Sequence, residues 1–126
     1  MFAQFLIPKT SLDAAGVGPS FDLGLQQVGL LQLTLVIEKT VEQQSLDVWL
    51  EGSADGEQWQ EKPVAAFPQK FYTGASVLVC DWAAQGELKF VRARWRPNRW
   101  GRGSLKPHFE VYLFGETITS HALDSK

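Results

Sequence analysis

Between Leu88 and Phe109 the chain places Lys89, Arg92, Arg94, Arg96, Arg99, Arg102 and Lys106 with no acidic residue among them. Seven positive charges in that segment, in a chain of net charge −2, leave the remainder at −9. Arg92, Arg94 and Arg96 alternate with apolar residues, so a strand there presents all three on one face. Such a row either pairs with acids on neighbouring strands, such as Glu38, Asp47, Glu51 or Glu110, or awaits an acidic partner. Arg92 and Arg94, inside the strand, fit the first role. The stretch Arg96-Pro97-Asn98-Arg99-Trp100-Gly101-Arg102-Gly103-Ser104 reads as a polar, Gly-rich loop that nonetheless carries a tryptophan. A Trp among Arg residues is the composition of an interface centre, combining large contact area with orienting hydrogen bonds. Trp100 is therefore the candidate anchor, with Arg96, Arg99, Arg102 and Lys106 as its charged surround. The competing role for Trp100 is to fold back and cap the core.

Other chemistries find less support. His108 stands beside Pro107 and His121 lies in a polar tail, and no nucleophile-elbow pattern surrounds Ser45, Ser53 or Ser104. Cys80 ends an apolar run and reads as a small buried hydrophobe, not a reactive thiol. Asp47, Glu51, Asp55 and Glu57 are close in sequence, but only Asp55 and Glu57 fall in the loop. The alternating acid series of a calcium loop is missing. These residues assign no catalytic role, no metal and no cofactor, and the expected class is a non-enzyme. Five Trp and eight Phe also admit sugar stacking. Trp49, on the polar face of its strand between Asp47 and Glu51, is the candidate there, whereas Trp59, Trp82 and Trp95 read as core or turn packing.

The elements that must hold these residues follow a period of two. Leu31, Leu33, Leu35 and Ile37 share one face, as do Leu46, Val48 and Leu50, then Val91, Ala93 and Trp95, then Phe109, Val111 and Leu113. Phe2–Ile7, Ser20–Leu23, Trp59–Lys62 and Ser76–Cys80 add shorter strands, and Asp55-Gly56 marks a tight turn. Asp81 to Gly86 predicts one helical turn, with Asp81 as N-cap and Gly86 ending it. The expected fold is an all-β antiparallel sandwich, jelly-roll-like, of seven or eight strands with at most that one turn of helix. A length of 126 residues, 44% hydrophobic and 21% charged, fits one domain over 1–126 with a frayed tail from 117. The apolar run Phe5-Leu6-Ile7 stops at Pro8, too short for a signal sequence or a membrane span. The expected location is cytoplasmic or virion-associated. With one cysteine there is no intrachain disulfide.

Three segments carry a resemblance. Leu46–Gly52 runs into Ser53-Ala54-Asp55-Gly56-Glu57-Gln58-Trp59, a strand followed by an S-x-D-G-x-x-W turn. Phe90-Val91-Arg92-Ala93-Arg94-Trp95 then leads through a loop to Phe109-Glu110-Val111-Tyr112-Leu113. Over residues 20 to 115 this resembles small phage- and prophage-encoded β-sandwich structural proteins, of capsid-decoration type. There is a second likeness to discoidin-like, galactose-binding domains, whose paired cysteines and long aromatic loops this chain lacks. In the phage type a small-residue loop precedes the last strand, and here the Arg/Trp segment replaces it. The resemblance implies a structural or interaction domain that docks onto a larger assembly or self-associates, its partner a protein or a second copy. The alternative is a carbohydrate-binding module using Trp49 or Trp100. A negative net charge sets nucleic acid lower, and no membrane partner is implied.

Overall fold

A computed structural model describes residues 2–24, 28–101 and 106–118. Among these residues the chain forms nine strands and one short 3-10 helix. Six strands are long: β1 (Ala3–Leu12), β4 (Leu30–Thr40), β5 (Gln44–Ser53), β7 (Gly74–Asp81), β8 (Phe90–Arg99) and β9 (Phe109–Ile118). β2 (Gly16–Val17), β3 (Phe21–Asp22) and β6 (Ala65–Ala66) are two-residue pairings at the margins. The helical turn, Trp82–Gln85, has the expected cap, with Asp81 accepting from the Ala84 N–H at 3.3 Å. No helix among the described residues is long and apolar enough to cross a membrane.

All strand pairings are antiparallel. One sheet runs β1-β9-β4-β7, and the second runs β2-β8-β5-β6 with β3 also on β8. The chain crosses between sheets at β1–β2, β3–β4, β4–β5, β6–β7, β7–β8 and β8–β9, the connectivity of a jelly roll. Alternation dictates what faces inward. Leu31, Leu33, Leu35, Leu46, Val48, Leu50, Val91, Ala93, Phe109, Val111 and Leu113 are all buried between the sheets. Burying such side chains is worth roughly 2 kcal/mol each, which makes the inner faces the main stabilising layer.

Four local readings change. Trp95 is only half-buried, because it sits over β2 at the sandwich margin and its indole donates to Ala14 O at 3.2 Å. A Cβ on Gly16 would stand 2.9 Å from that ring, so glycine is what lets the two-residue pairing of Gly16–Val17 with β8 close against it. Arg96 to Arg99 belong to β8, not to a loop. Pro97 is tolerated because its partner Leu46 directs its own N–H and C=O to Lys70 (2.8 and 2.9 Å), so no donor is needed at position 97. Trp59–Lys62 contributes only an isolated bridge, Trp59 to Ser53. Thr117 and Ile118, read as tail, complete β9; Thr117 donates its N–H to Phe2 O at 2.9 Å. Arg102, Ser104, His121 and the rest of 119–126 lie outside the described residues.

Candidate functional site

The end of the sandwich where β4, β5, β8 and β9 meet gathers the most unusual surface. β4 stops at Thr40 and the chain turns through Val41–Gln43 into β5. Gln43 takes a φ of 60°, a left-handed conformation that costs a non-glycine residue about 1 kcal/mol or more. Gln44 holds the turn in place. It is 2% exposed, and its amide nitrogen donates to Thr40 Oγ1 and to the His108 carbonyl. Its amide oxygen accepts the His108 N–H at 2.8 Å. One buried side chain thereby ties the β4–β5 turn to the chain entering β9. On the other side of the turn, Trp100 donates its N–H to Gln43 O at 2.9 Å.

Trp100 does not cap the core. It is 45% exposed and stands edge-on to Phe71, with centroids 6.5 Å apart and planes at 75°. Phe71 is tilted by 51° against Tyr72, which is 80% exposed. With Val41, Glu42 and Gln43 these rings line an open groove of about 400 Å³. Three aromatics exposed together are costly in water and amount to more than isolated surface residues. Their mutual tilt makes a cleft with angled walls, not one flat platform.

The basic residues are dispersed by strand alternation. Arg92 and Arg94 both converge on Glu51, their Nε atoms 2.8 Å from its two oxygens. Arg92 donates a well-formed hydrogen bond and also lies 4.0 Å over the Trp59 ring. Arg94 approaches off the hydrogen-bonding direction, so its contact is coulombic. Arg96 is exposed on the same outer face, opposite Asp47 and 5.8 Å over the Trp49 ring. Arg99 points the other way. It is half-buried at the aromatic end, Nη1 donating to Lys106 O at 3.2 Å, and its Nε has no hydrogen-bond partner among the described residues. Lys106 is exposed. The structure thus brings Arg99 and Lys106 together near Trp100 and separates Arg96 from them.

Trp49 is half-buried, in a shallow groove shared with Pro63, Ala66, Phe67 and Arg96. The guanidinium over its ring occupies part of the face that a sugar would need. At the opposite end of the sandwich, Asp55 Oδ1 accepts from the N–H groups of Gln58 and Glu57, each at 2.9 Å, and from Ser53 Oγ at 3.0 Å. Those donors hold its carboxyl below its ordinary value of 3.8. Gly56 completes the turn with a φ of 81°. Cys80 is buried, and desolvation, aided by the Asp81 charge, pushes its thiol up to about 11. A protonated, buried thiol is a poor nucleophile. His108 contacts Glu110 at 3.2 Å. Among the described residues no three His, Cys, Asp or Glu side chains converge as a metal site would require.

Sequence reasoning passed over Phe71, Tyr72, Val41 and Gln44. Phe71-Tyr72 followed by Thr73-Gly74 was the available signal, since adjacent aromatics before a strand cannot both face one core. Compared with protein-family models and with curated proteins, the chain finds no match.

Proposed function

We propose that this chain is a non-catalytic jelly-roll interaction domain whose Phe71–Tyr72–Trp100 end docks onto a protein partner in a larger assembly, in the manner of a virion or prophage accessory component. One observation carries the proposal: three large aromatics stand exposed around a groove whose β4–β5 side is tied to the chain entering β9 by the Gln44 hydrogen bonds. Aromatic anchors in a preorganised setting are what interface centres are made of. Half-buried Arg99 and exposed Lys106 add positive charge beside the groove, and an acidic partner surface complements them. Jelly rolls occur among viral capsid and lectin domains alike, so architecture accommodates a sugar ligand as well, and the site must discriminate.

The carbohydrate alternative draws on the same exposed Trp100 and Tyr72, flanked by the polar Glu42 and Gln43. Pyranose stacking asks for a flat ring face, whereas walls at 75° and 51° suit an inserted side chain or loop. Protein is therefore preferred. The test is binding to proteins encoded by neighbouring genes, measured calorimetrically, beside a glycan array. Trp100→Ala is expected to weaken protein binding by about 2 kcal/mol or more with the melting temperature nearly unchanged. Arg99→Glu is expected to slow association and alter its salt dependence. Saturable glycan binding lost in Trp100→Ala would favour the alternative. A large stability loss in Trp100→Ala with binding intact would sink both readings of this end.

A further inference from the structure

The two edges of the first sheet are built differently. β1 carries Pro8 and Lys9, and its register against β9 shifts between Phe5 and Ile7 and again between Ile7 and Thr10. Proline, lysine and irregular register are the usual defences of an exposed edge. β7, the other edge, has none of them. Gly74 to Asp81 pairs with Ile37 to Leu30 without a shift, and the segment from Gly74 to Cys80 contains no proline and no charge. Among the described residues, no element other than β4 hydrogen-bonds to the backbone of Gly74–Cys80. The edges of the second sheet, β2 and β6, are two residues long and offer little to pair with. β7 is thus the one long, flat, undefended edge among the described strands.

Its outward side chains are apolar too, Val77 being 60% and Val79 40% exposed. They continue a row across the sheet, since Val77 lies beside Thr34, Thr34 beside Phe114, and Phe114 beside Phe5. We infer that β7 pairs antiparallel with β7 of a second copy about a two-fold axis, fusing two four-stranded sheets into one of eight strands. The observations favour a second copy over another occupant. An uncharged strand meets no like-charge repulsion when it lies against itself. With the axis at Leu78, Val77 of each copy faces Val79 of the other. Asp81 then falls opposite Ala75, never opposite its own counterpart. Head-to-tail growth is blocked because the only other long edge of that sheet, β1, is defended, so pairing closes at two copies. This contact is separate from the aromatic end and does not depend on its function.

Sedimentation equilibrium of the full chain tests the inference, together with amide exchange at several concentrations. A reversible monomer–dimer equilibrium is expected, with exchange at Gly74–Cys80 slowing as concentration rises. Val77→Lys, at an exposed position, is expected to weaken the dimer about a hundredfold without lowering the melting temperature, because the axis sets the two lysines close together. Phe5→Lys, on the same face but the far strand, is expected to leave the dimer intact. Four results would overturn the proposal. They are a chain monomeric at every concentration, β7 amides protected equally at all dilutions, a dimer that Phe5→Lys dissociates and Val77→Lys spares, and a dimer lost only in Trp100→Ala.

Discussion

Asp55 shows how one carboxylate organises a turn. Its oxygen collects two backbone N–H groups and a hydroxyl, and all three favour the ionised form. Because its folded value lies below the ordinary 3.8, the stability it contributes is complete above the usual carboxylate range and is lost as pH falls through the folded value. Asp55→Asn keeps an acceptor oxygen but cannot titrate, so its melting temperature is expected to fall less steeply on acidification than the parent's. Thermal melts from neutral pH down to about pH 3 measure this, and parallel acid limbs would remove Asp55 from the account. The same residue also marks what sequence can convey. Ser53, Asp55 and Gly56 announce their turn by type and spacing alone, since all the partners lie within five residues. Gln44 announces nothing, because its partner His108 is distant in sequence and only the fold brings them together.

At the scale of elements, Gln44 decides whether the β4–β5 turn and the approach to β9 behave as one body. Replacing it by Leu keeps the volume but leaves the His108 N–H and carbonyl without their partner. A buried unsatisfied group costs about 1–3 kcal/mol, so Gln44→Leu is expected to lose roughly 2 kcal/mol in urea denaturation. An unchanged midpoint would mean that the staple contributes nothing. Four of the six long strands, β4, β5, β8 and β9, were legible because each alternates against a core and alternation survives any choice of neighbour. β1 and β7 were read only as the shorter Phe2–Ile7 and Ser76–Cys80. β2 and β6 were not legible, since two-residue pairings have no period to read. β8 was cut short at Arg96 because proline normally ends a central strand, and only the Leu46–Lys70 pairing removes that penalty. The basic stripe was read correctly as a row, and two of its three members, Arg92 and Arg94, are paired with Glu51, one of the cross-strand acids named from the sequence. Trp100 was found from composition. Its companions Phe71 and Tyr72 were not, because they arrive from a different part of the chain.

For the whole molecule, the aromatic end and the β7 edge lie close in sequence, Tyr72 standing two residues before the start of β7 at Gly74. Antiparallel pairing of β7 would send the two aromatic ends to opposite poles of a dimer, an arrangement suited to bridging two partner copies rather than gripping one. The same topology governs how the chain folds. β1 pairs with β9, β9 with β4, β4 with β7 and β5 with β8, so no two long strands adjacent in sequence are hydrogen-bonded neighbours. Neither sheet can begin from a local hairpin of two long strands, and the first strand finds its place only after the last has been made. Loop closure must therefore be met before the contacts that reward it, which places folding in the millisecond-to-second range. Because both sheets contribute to one buried layer, a single cooperative transition is expected. Stopped-flow refolding followed by tryptophan emission measures the rate, with buried Trp82 as a reporter of core formation. Truncating the chain before Phe109 is expected to abolish folding, because it removes the central strand joining β1 to β4. Microsecond refolding, or a cooperative melt in the truncated chain, would show that the second sheet assembles on its own.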